Sequence, residues 1–228
     1  MKKRYERNTG TISSRDQRHL KEKRVCVIGC GGLGGGVMEN LVRIGVGHIT
    51  AVDGDVFDET NLNRQVLSNE SNIGKSKSEE AAKQMKLINS DVEVTPVNDF
   101  ICRENICEVI SGHDVVVDAL DSAETRKLTE AACEEKNIPL VHGAIAGWSG
   151  QVAVVMPGDR LLEKIYAEDE KKGEECQTGN PSFTPAVISA IEAAETIKLL
   201  TGKSEILHGR MLMIDLLNHI YETIDFGE

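Results

Sequence analysis

Short apolar runs alternate with amphipathic helical patterns along the first two thirds of the chain. The run Val25–Ile28 ends at a cluster of glycines, and residues 34–44 then place apolar side chains at helical spacing. Further strands are predicted at His48–Asp53, Val92–Val97, Val115–Asp118, Ile138–Val141 and Gln151–Met156, and further helices at residues 75–89, 103–111 and 122–136. Alternating strands and helices predict an α/β fold with a mostly parallel sheet and helices on both faces.

The last third has a different pattern. Residues 157–181 are rich in charged side chains and glycine, and we expect a long crossover loop there. Thr184, as the N-cap before a proline, opens a helix that runs to about Leu200. The runs Met211–Asp215 and Ile220–Asp225 predict a C-terminal antiparallel strand pair.

Composition narrows the class of protein. The 228 residues include 26 Lys and Arg against 37 Asp and Glu, and the net charge of −11 argues against binding nucleic acid through its phosphates. No apolar run approaches the ~18–20 residues of a membrane span, and the charged N-terminus lacks the apolar core of a secretory signal. We therefore expect one cytoplasmic domain over residues 1–228. None of the six cysteines forms a C-x-x-C pair, so no structural zinc is expected.

A glycine-rich turn at the first strand–helix joint is the first sign of chemistry. Gly29, Gly31, Gly32 and Gly34 allow backbone N–H groups to approach phosphate oxygens at a helix N-terminus. Asp53 ends the second strand, where a ribose diol would lie. These features predict a Rossmann-like nucleotide-binding fold, but they do not separate a dinucleotide from ATP.

Charged side chains that follow successive strands favour ATP. Arg64 comes after the second strand, Lys77 begins the next helix, and Asp121 follows the fourth strand. Singly, Arg64 and Lys77 suit surface charges and Asp121 suits a helix cap. Together at the carboxyl ends of the strands, they supply the cations and the Mg²⁺ ligand that ATP requires.

These motifs, in this order, resemble the MoeB/ThiF/HesA family, the bacterial relatives of ubiquitin-activating enzymes. The resemblance runs from Arg4 to about Gly202, and its most specific part is Asp53-Gly54-Asp55 followed by Asn61-Leu62-Asn63-Arg64-Gln65. It implies ATP and Mg²⁺ as cofactors. The nucleotide-binding residues that it implies are Gly29, Gly31, Gly32, Gly34, Asp53, Asp55, Asn61, Arg64, Lys77 and Asp121.

The resemblance also implies a reaction and partners. The C-terminal glycine carboxylate of a ubiquitin-like sulfur carrier (ThiS/MoaD type, ending in Gly-Gly) would attack ATP, giving an acyl-adenylate and pyrophosphate. Asp121 would position Mg²⁺. Arg7 resembles an arginine that is donated across a homodimer interface. We expect His142–Gly147 to form a loop that floors the channel for the carrier's tail.

Other interpretations stay open. Cys176 lies in the expected crossover loop, where some relatives place a sulfur-transfer or thioester cysteine, but the flanking carboxylates should raise the pKa of its thiol. The carboxylate that is activated could instead belong to a small molecule or to tRNA, as in the tRNA dehydratase branch. An NAD-dependent oxidoreductase could use the same glycine turn.

Overall fold

The computed structural model describes residues 2–166 and 178–227, which form an eight-stranded mixed sheet flanked by helices. The strands are β1 (Arg24–Ile28), β2 (His48–Val52), β3 (Glu93–Val97), β4 (Val115–Asp118), β5 (Leu140–Ala146), β6 (Ser149–Val155), β7 (Arg210–Asp215) and β8 (Ile220–Asp225). The helices are α1 (Ser14–His19), α2 (Gly32–Ile44), α3 (Lys77–Ile88), α4 (Ile106–Val109), α5 (Ala123–Lys136), α6 (Leu161–Ile165) and α7 (Phe183–Leu200).

The strand order is β3-β2-β1-β4-β5-β6-β7-β8, and the pairs from β3 to β5 are parallel. One apolar core lies under α2, α3 and α7, and a second lies under α4, α5 and α6. Because both faces are covered, Val25, Cys26 and Val27 of β1 are all fully buried. The predicted α/β fold is confirmed. The strand order reverses between β1 and β4, where sheets of this kind bind ligands.

The antiparallel part of the sheet is larger than the predicted strand pair. β5 pairs antiparallel with β6, β6 with β7, and β7 with β8. The expectation of a loop at His142–Gly147 is wrong, because β5 continues to Ala146 before it turns into β6. Gly143 and Gly150 are glycines because α7 packs on them: an added Cβ would lie 2.3 Å from Glu192 Cδ and 2.4 Å from Ile188 Cγ1, respectively.

The expected crossover loop is also not wholly irregular. Leu161 and Leu162 of α6 are buried in the second core, so part of residues 157–166 is ordered by apolar packing. The proposed cap at Thr184 is wrong: α7 begins at Phe183, and the Thr184 hydroxyl donates to the Gly147 carbonyl at 2.6 Å. No helix in the described ranges is long and apolar enough to span a membrane.

Candidate functional site

The glycine turn joins β1 to α2 at the carboxyl edge of the sheet. Gly29 has a φ of +98°, and its N–H donates to the Val52 carbonyl at 2.8 Å. A Cβ on Gly34 would lie 1.8 Å from the Gly29 carbonyl oxygen, so α2 can start this close to the turn only with glycine there. Gly31 and Gly32 stand at the N-terminus of α2, the positive end of a 13-residue helix. The turn is therefore built to approach an anion.

Asp53 fixes the turn to the end of β2. Its Oδ2 accepts from the Cys30 N–H at 2.8 Å, and its Oδ1 accepts from the Asp55 N–H at 2.8 Å. Burial raises the pKa of the Asp53 carboxyl, and the two backbone donors and Lys77 oppose that rise. A ribose contact at Asp53 would share oxygens that already accept backbone hydrogen bonds.

Lys77 presents a held ammonium group to the same cleft. It is the first residue of α3, and its side chain is only a tenth exposed. The Lys77 Nζ lies 3.1 Å from Asp55 Oδ2, and the Lys77 N–H donates to the Asp55 carbonyl at 2.9 Å. The structure thus brings Asp53, Asp55 and Lys77 together, as the sequence predicts.

Arg64 and Asn61 share the turn after β2 but differ in what they reach. Arg64 is half-buried and lines the cleft, with one nitrogen donating to the Thr60 carbonyl at 3.0 Å. Asn61 is 8% exposed, and its Oδ1 accepts from the Asp58 N–H in a reciprocal helix cap. Asn61 is not part of the cleft wall, so in this structure it supports the turn that presents Arg64.

Asp121 is an exposed carboxylate on the cleft wall, between β4 and α5. Within residues 2–166 and 178–227, no three His, Cys, Asp or Glu side chains cluster in a way that could hold a metal ion. A lone carboxylate suits Mg²⁺, which keeps several waters and takes its other ligands from substrate phosphates.

Arg7 lies far from the cleft within this chain. It is exposed on a 3₁₀ helix, Lys3–Asn8, whose Tyr5 packs against Gly45 at the C-terminal end of α2 and bonds Asn89 at the end of α3. The cleft is at the N-terminal end of α2, a helix of 13 residues and therefore about 20 Å long. Cys176 lies outside the described residues.

Sequence reasoning missed two polar residues on the cleft wall. Gln65 Oε1 and Asn180 Oδ1 are buried, and neither has a hydrogen-bond partner in the described part of the chain. Buried polar oxygens of this kind cost free energy unless a ligand or a water bonds them. Gln65 stands within the quoted motif, but nothing local to Asn180 signals its position. These oxygens favour a polar ligand in the cleft.

Apolar groups also line the cleft. Phe100 is 62% exposed, and its ring packs so closely on Gly54 that a Cβ there would lie 2.7 Å from the ring. Ile101 and Leu120 continue this wall. The cleft therefore combines apolar groups suited to an aromatic base with charged groups suited to phosphates.

A family model described as ThiF family matches residues 5–228. The chain belongs to the ThiF family. The "SAMP-activating enzyme E1" of Haloferax volcanii is 37% identical over 218 residues, which cover 94% of this chain and 81% of that protein. The "Sulfur carrier protein ThiS adenylyltransferase" of Bacillus subtilis is 36% identical over 197 residues, which cover 84% of this chain and 58% of that protein.

A solved structure shows the same fold for this ThiF-family chain. The crystal structure of E. coli MccB with ATP matches with a TM-score of 0.85 and 24% identity, covering all of this chain and 72% of that one. At that identity the likeness concerns the fold alone. The family resemblance seen in the sequence is confirmed, and the curated relatives above carry the names of activating enzymes and adenylyltransferases, not of oxidoreductases.

Proposed function

We propose that this ThiF-family chain uses ATP to adenylate the C-terminal glycine carboxylate of a ubiquitin-like sulfur-carrier protein that ends in Gly-Gly. The observation that carries the proposal is one cleft that joins a glycine turn at a helix N-terminus to the cations Arg64 and Lys77. That combination suits a triphosphate better than the diphosphate of NAD, which backbone amides largely satisfy.

The nucleotide would lie in the cleft, with its base on the apolar groups and its phosphates at the charged ones. The base would pack on the wall of Phe100, Ile101 and Leu120, and the ribose would meet Asp53. Arg64, Lys77 and the glycine turn would hold the phosphates. Asp121 would hold Mg²⁺, which supplies positive charge to the phosphates when bound.

The reaction needs positioning more than proton transfer. The carrier's terminal carboxylate is ionised at pH 7, so no general base is required. One carboxylate oxygen bonds the α-phosphorus of ATP, the bond from that phosphorus to the bridging oxygen breaks, and pyrophosphate leaves with the electron pair. The residues of the cleft align the two groups and neutralise the developing phosphate charge.

Two observations support a protein substrate over a small-molecule or tRNA-borne carboxylate. The edge strand β8 exposes Ile220, Tyr221 and Ile224, and Leu217 and Phe226 are exposed beside it. Exposed apolar side chains along an edge strand suit a protein partner. A net charge of −11 opposes binding of tRNA phosphates.

Arg7 leads us to propose a homodimer. It faces the opposite end of α2 from the cleft, so its guanidinium can serve an ATP site only in a second copy of the chain. Cys176 would act after adenylation, because attack by a carboxylate needs no thiol. In that case Cys176→Ala leaves pyrophosphate exchange intact.

The decisive experiment is exchange of labelled pyrophosphate into ATP. A carrier that ends in Gly-Gly should support exchange with Mg²⁺ present, and the same carrier without its last glycine should not. Calorimetric titration should show binding of Mg²⁺-ATP and little binding of NAD. Exchange driven equally well by the shortened carrier, or tight NAD binding without ATP binding, contradicts the proposal.

A further inference from the structure

A buried carboxylate–imidazole pair lies behind the cleft, outside the residues used above. Asp118, at the end of β4, and His142, on β5, are both completely buried, and Asp118 Oδ2 lies 2.7 Å from His142 Nδ1. Burial lowers the pKa of His142 while Asp118 opposes that change, so the ring is neutral. With the carboxylate facing Nδ1, that nitrogen carries the proton and donates it, which leaves Nε2 as an acceptor.

The acceptor nitrogen of His142 meets Tyr166. The Tyr166 hydroxyl and the Gln151 amide nitrogen each lie 3.2 Å from His142 Nε2, and the two aromatic rings meet edge-on at 85°. The Tyr166 hydroxyl can donate only one proton. It accepts from Arg126 Nη1 and from the Gln151 amide nitrogen at 3.2 Å, and it can donate its proton to His142 Nε2.

Arg126 closes the arrangement into a ring. Its Nε and Nη2 both donate to the Leu120 carbonyl, and the Leu120 N–H donates to Asp118 Oδ1 at 3.0 Å. The result is a closed ring of hydrogen bonds through Asp118, His142, Tyr166 and Arg126. The Leu120 N–H and carbonyl join its two ends. The next residue is Asp121.

We propose that Tyr166 is a positioning residue, which acts through this closed ring to fix the Leu120 backbone and so to aim Asp121 into the cleft. The consequence for Mg²⁺ rests on the role proposed above for Asp121. The effect on the Leu120 backbone does not depend on that role, because Arg126 and Asp118 bond Leu120 directly. A buried network that served stability alone would leave the geometry of Asp121 unaffected by the loss of one hydroxyl.

The first test is amide hydrogen exchange on the protein without substrate. Tyr166→Phe removes the hydroxyl and keeps the aromatic ring. Exchange in a peptide that covers residues 118–123 should become about fivefold faster, the effect of one lost hydrogen bond. Tyr5→Phe is the matched control: it also removes a hydrogen-bonding hydroxyl, which meets Asn89 Nδ2 at 2.8 Å at the far end of α2. Tyr5→Phe should make amide hydrogen exchange faster around Asn89 and leave the exchange rate of residues 118–123 unchanged.

The second test measures the Mg²⁺ dependence of pyrophosphate exchange. Tyr166→Phe should raise the Mg²⁺ concentration for half-maximal rate by about tenfold, as for an outer group that orients a metal ligand, with the KM for the carrier unchanged. A lower kcat at an unchanged Mg²⁺ requirement, or equal hydrogen exchange in residues 118–123 of wild type and Tyr166→Phe, overturns the proposal. If the wild-type protein catalyses no pyrophosphate exchange with any carrier, the proposed function is contradicted instead. The hydrogen-exchange experiment then still decides whether Tyr166 orders the Leu120 backbone.

Discussion

At the scale of single residues, the cleft depends as much on a missing side chain as on charged ones. Gly34 allows α2 to start against the Gly29 carbonyl, since a Cβ there would lie 1.8 Å from that oxygen. At Gly32 the nearest atom to an added Cβ is Pro185 Cβ at 3.4 Å, an ordinary contact. Neighbouring glycines of one motif therefore have different reasons to be glycine.

Gly34→Ala should destabilise the protein by about 1–3 kcal/mol, because the turn must move to relieve the overlap. Gly32→Ala should stay within about 1 kcal/mol of wild type, because it enters a helix without a clash. Denaturant unfolding measures both. Equal stabilities of the two variants would mean that the turn relaxes freely.

Lys77→Met should lower the rate of carrier-dependent pyrophosphate exchange by ~10²–10³, the usual effect of removing one fixed donor from a water-poor site. Lys75→Met is the matched control, because Lys75 is exposed two residues earlier and does not line the cleft. Circular dichroism should show both variants folded. Similar losses in both variants would point to general surface charge as the cause.

At the scale of elements, α7 carries a buried carboxyl group with an unusual environment. Glu192 is completely buried, and neither of its oxygens has a hydrogen-bond partner among the described residues. Burial and then Asp118 raise the pKa of Glu192 well above its usual value, while Arg126 opposes this. Three positions later, Glu195 is also buried, but it bonds Lys198 and the Leu207 N–H.

Glu192→Gln should stabilise the protein increasingly as the pH rises. The folded state holds the Glu192 proton where the unfolded chain has lost it, so the free energy of unfolding falls as the pH rises from about 4.5 towards the raised pKa. In wild type, this proton lowers the free energy of unfolding by at most about 1.4 kcal/mol per pH unit, and the variant lacks that dependence. Thermal unfolding at pH 5 and pH 8 measures it.

Glu195→Gln is the contrasting variant for this experiment. It should destabilise the protein at pH 8, because it weakens bonds that Glu195 makes to a charged partner and a backbone donor. If Glu192→Gln were also destabilising at pH 8, the Glu192 carboxyl would have a partner that stabilises its charge.

Element boundaries also show where local sequence patterns mislead. The central strands β1 and β4 were predictable because their short, valine-rich runs are buried on both faces. His142–Ala146 was not, because Gly143 indicates a loop while its role is to admit α7 against β5, and only Gly147, at a φ of +55°, stands in the turn that follows. Close packing between elements distant in sequence leaves no local pattern.

At the scale of the whole molecule, the position of Arg7 predicts shared active sites. Chains that carry Arg7→Ala and chains that carry Arg64→Ala should each be inactive alone. Mixed under conditions of subunit exchange, they should recover about a quarter of wild-type activity, because half of the dimers are hybrids with one intact site. No recovery in a mixture shown to contain hybrids would contradict sharing.

Local sequence patterns alone predict the order of most strands and helices, the glycine turn, and four residues that reach one edge of the sheet: Asp53, Arg64, Lys77 and Asp121. Each of these follows from local periodicity and from the rule that parallel strands end together. The folded chain was needed to show that Asn61 supports a turn outside the cleft wall, and that Gln65 and Asn180 bring to the cleft oxygens that no described residue bonds. The ring through Asp118, His142, Tyr166 and Arg126 likewise joins groups from separate elements. Such contacts depend on long-range register and packing, which no single stretch of sequence specifies.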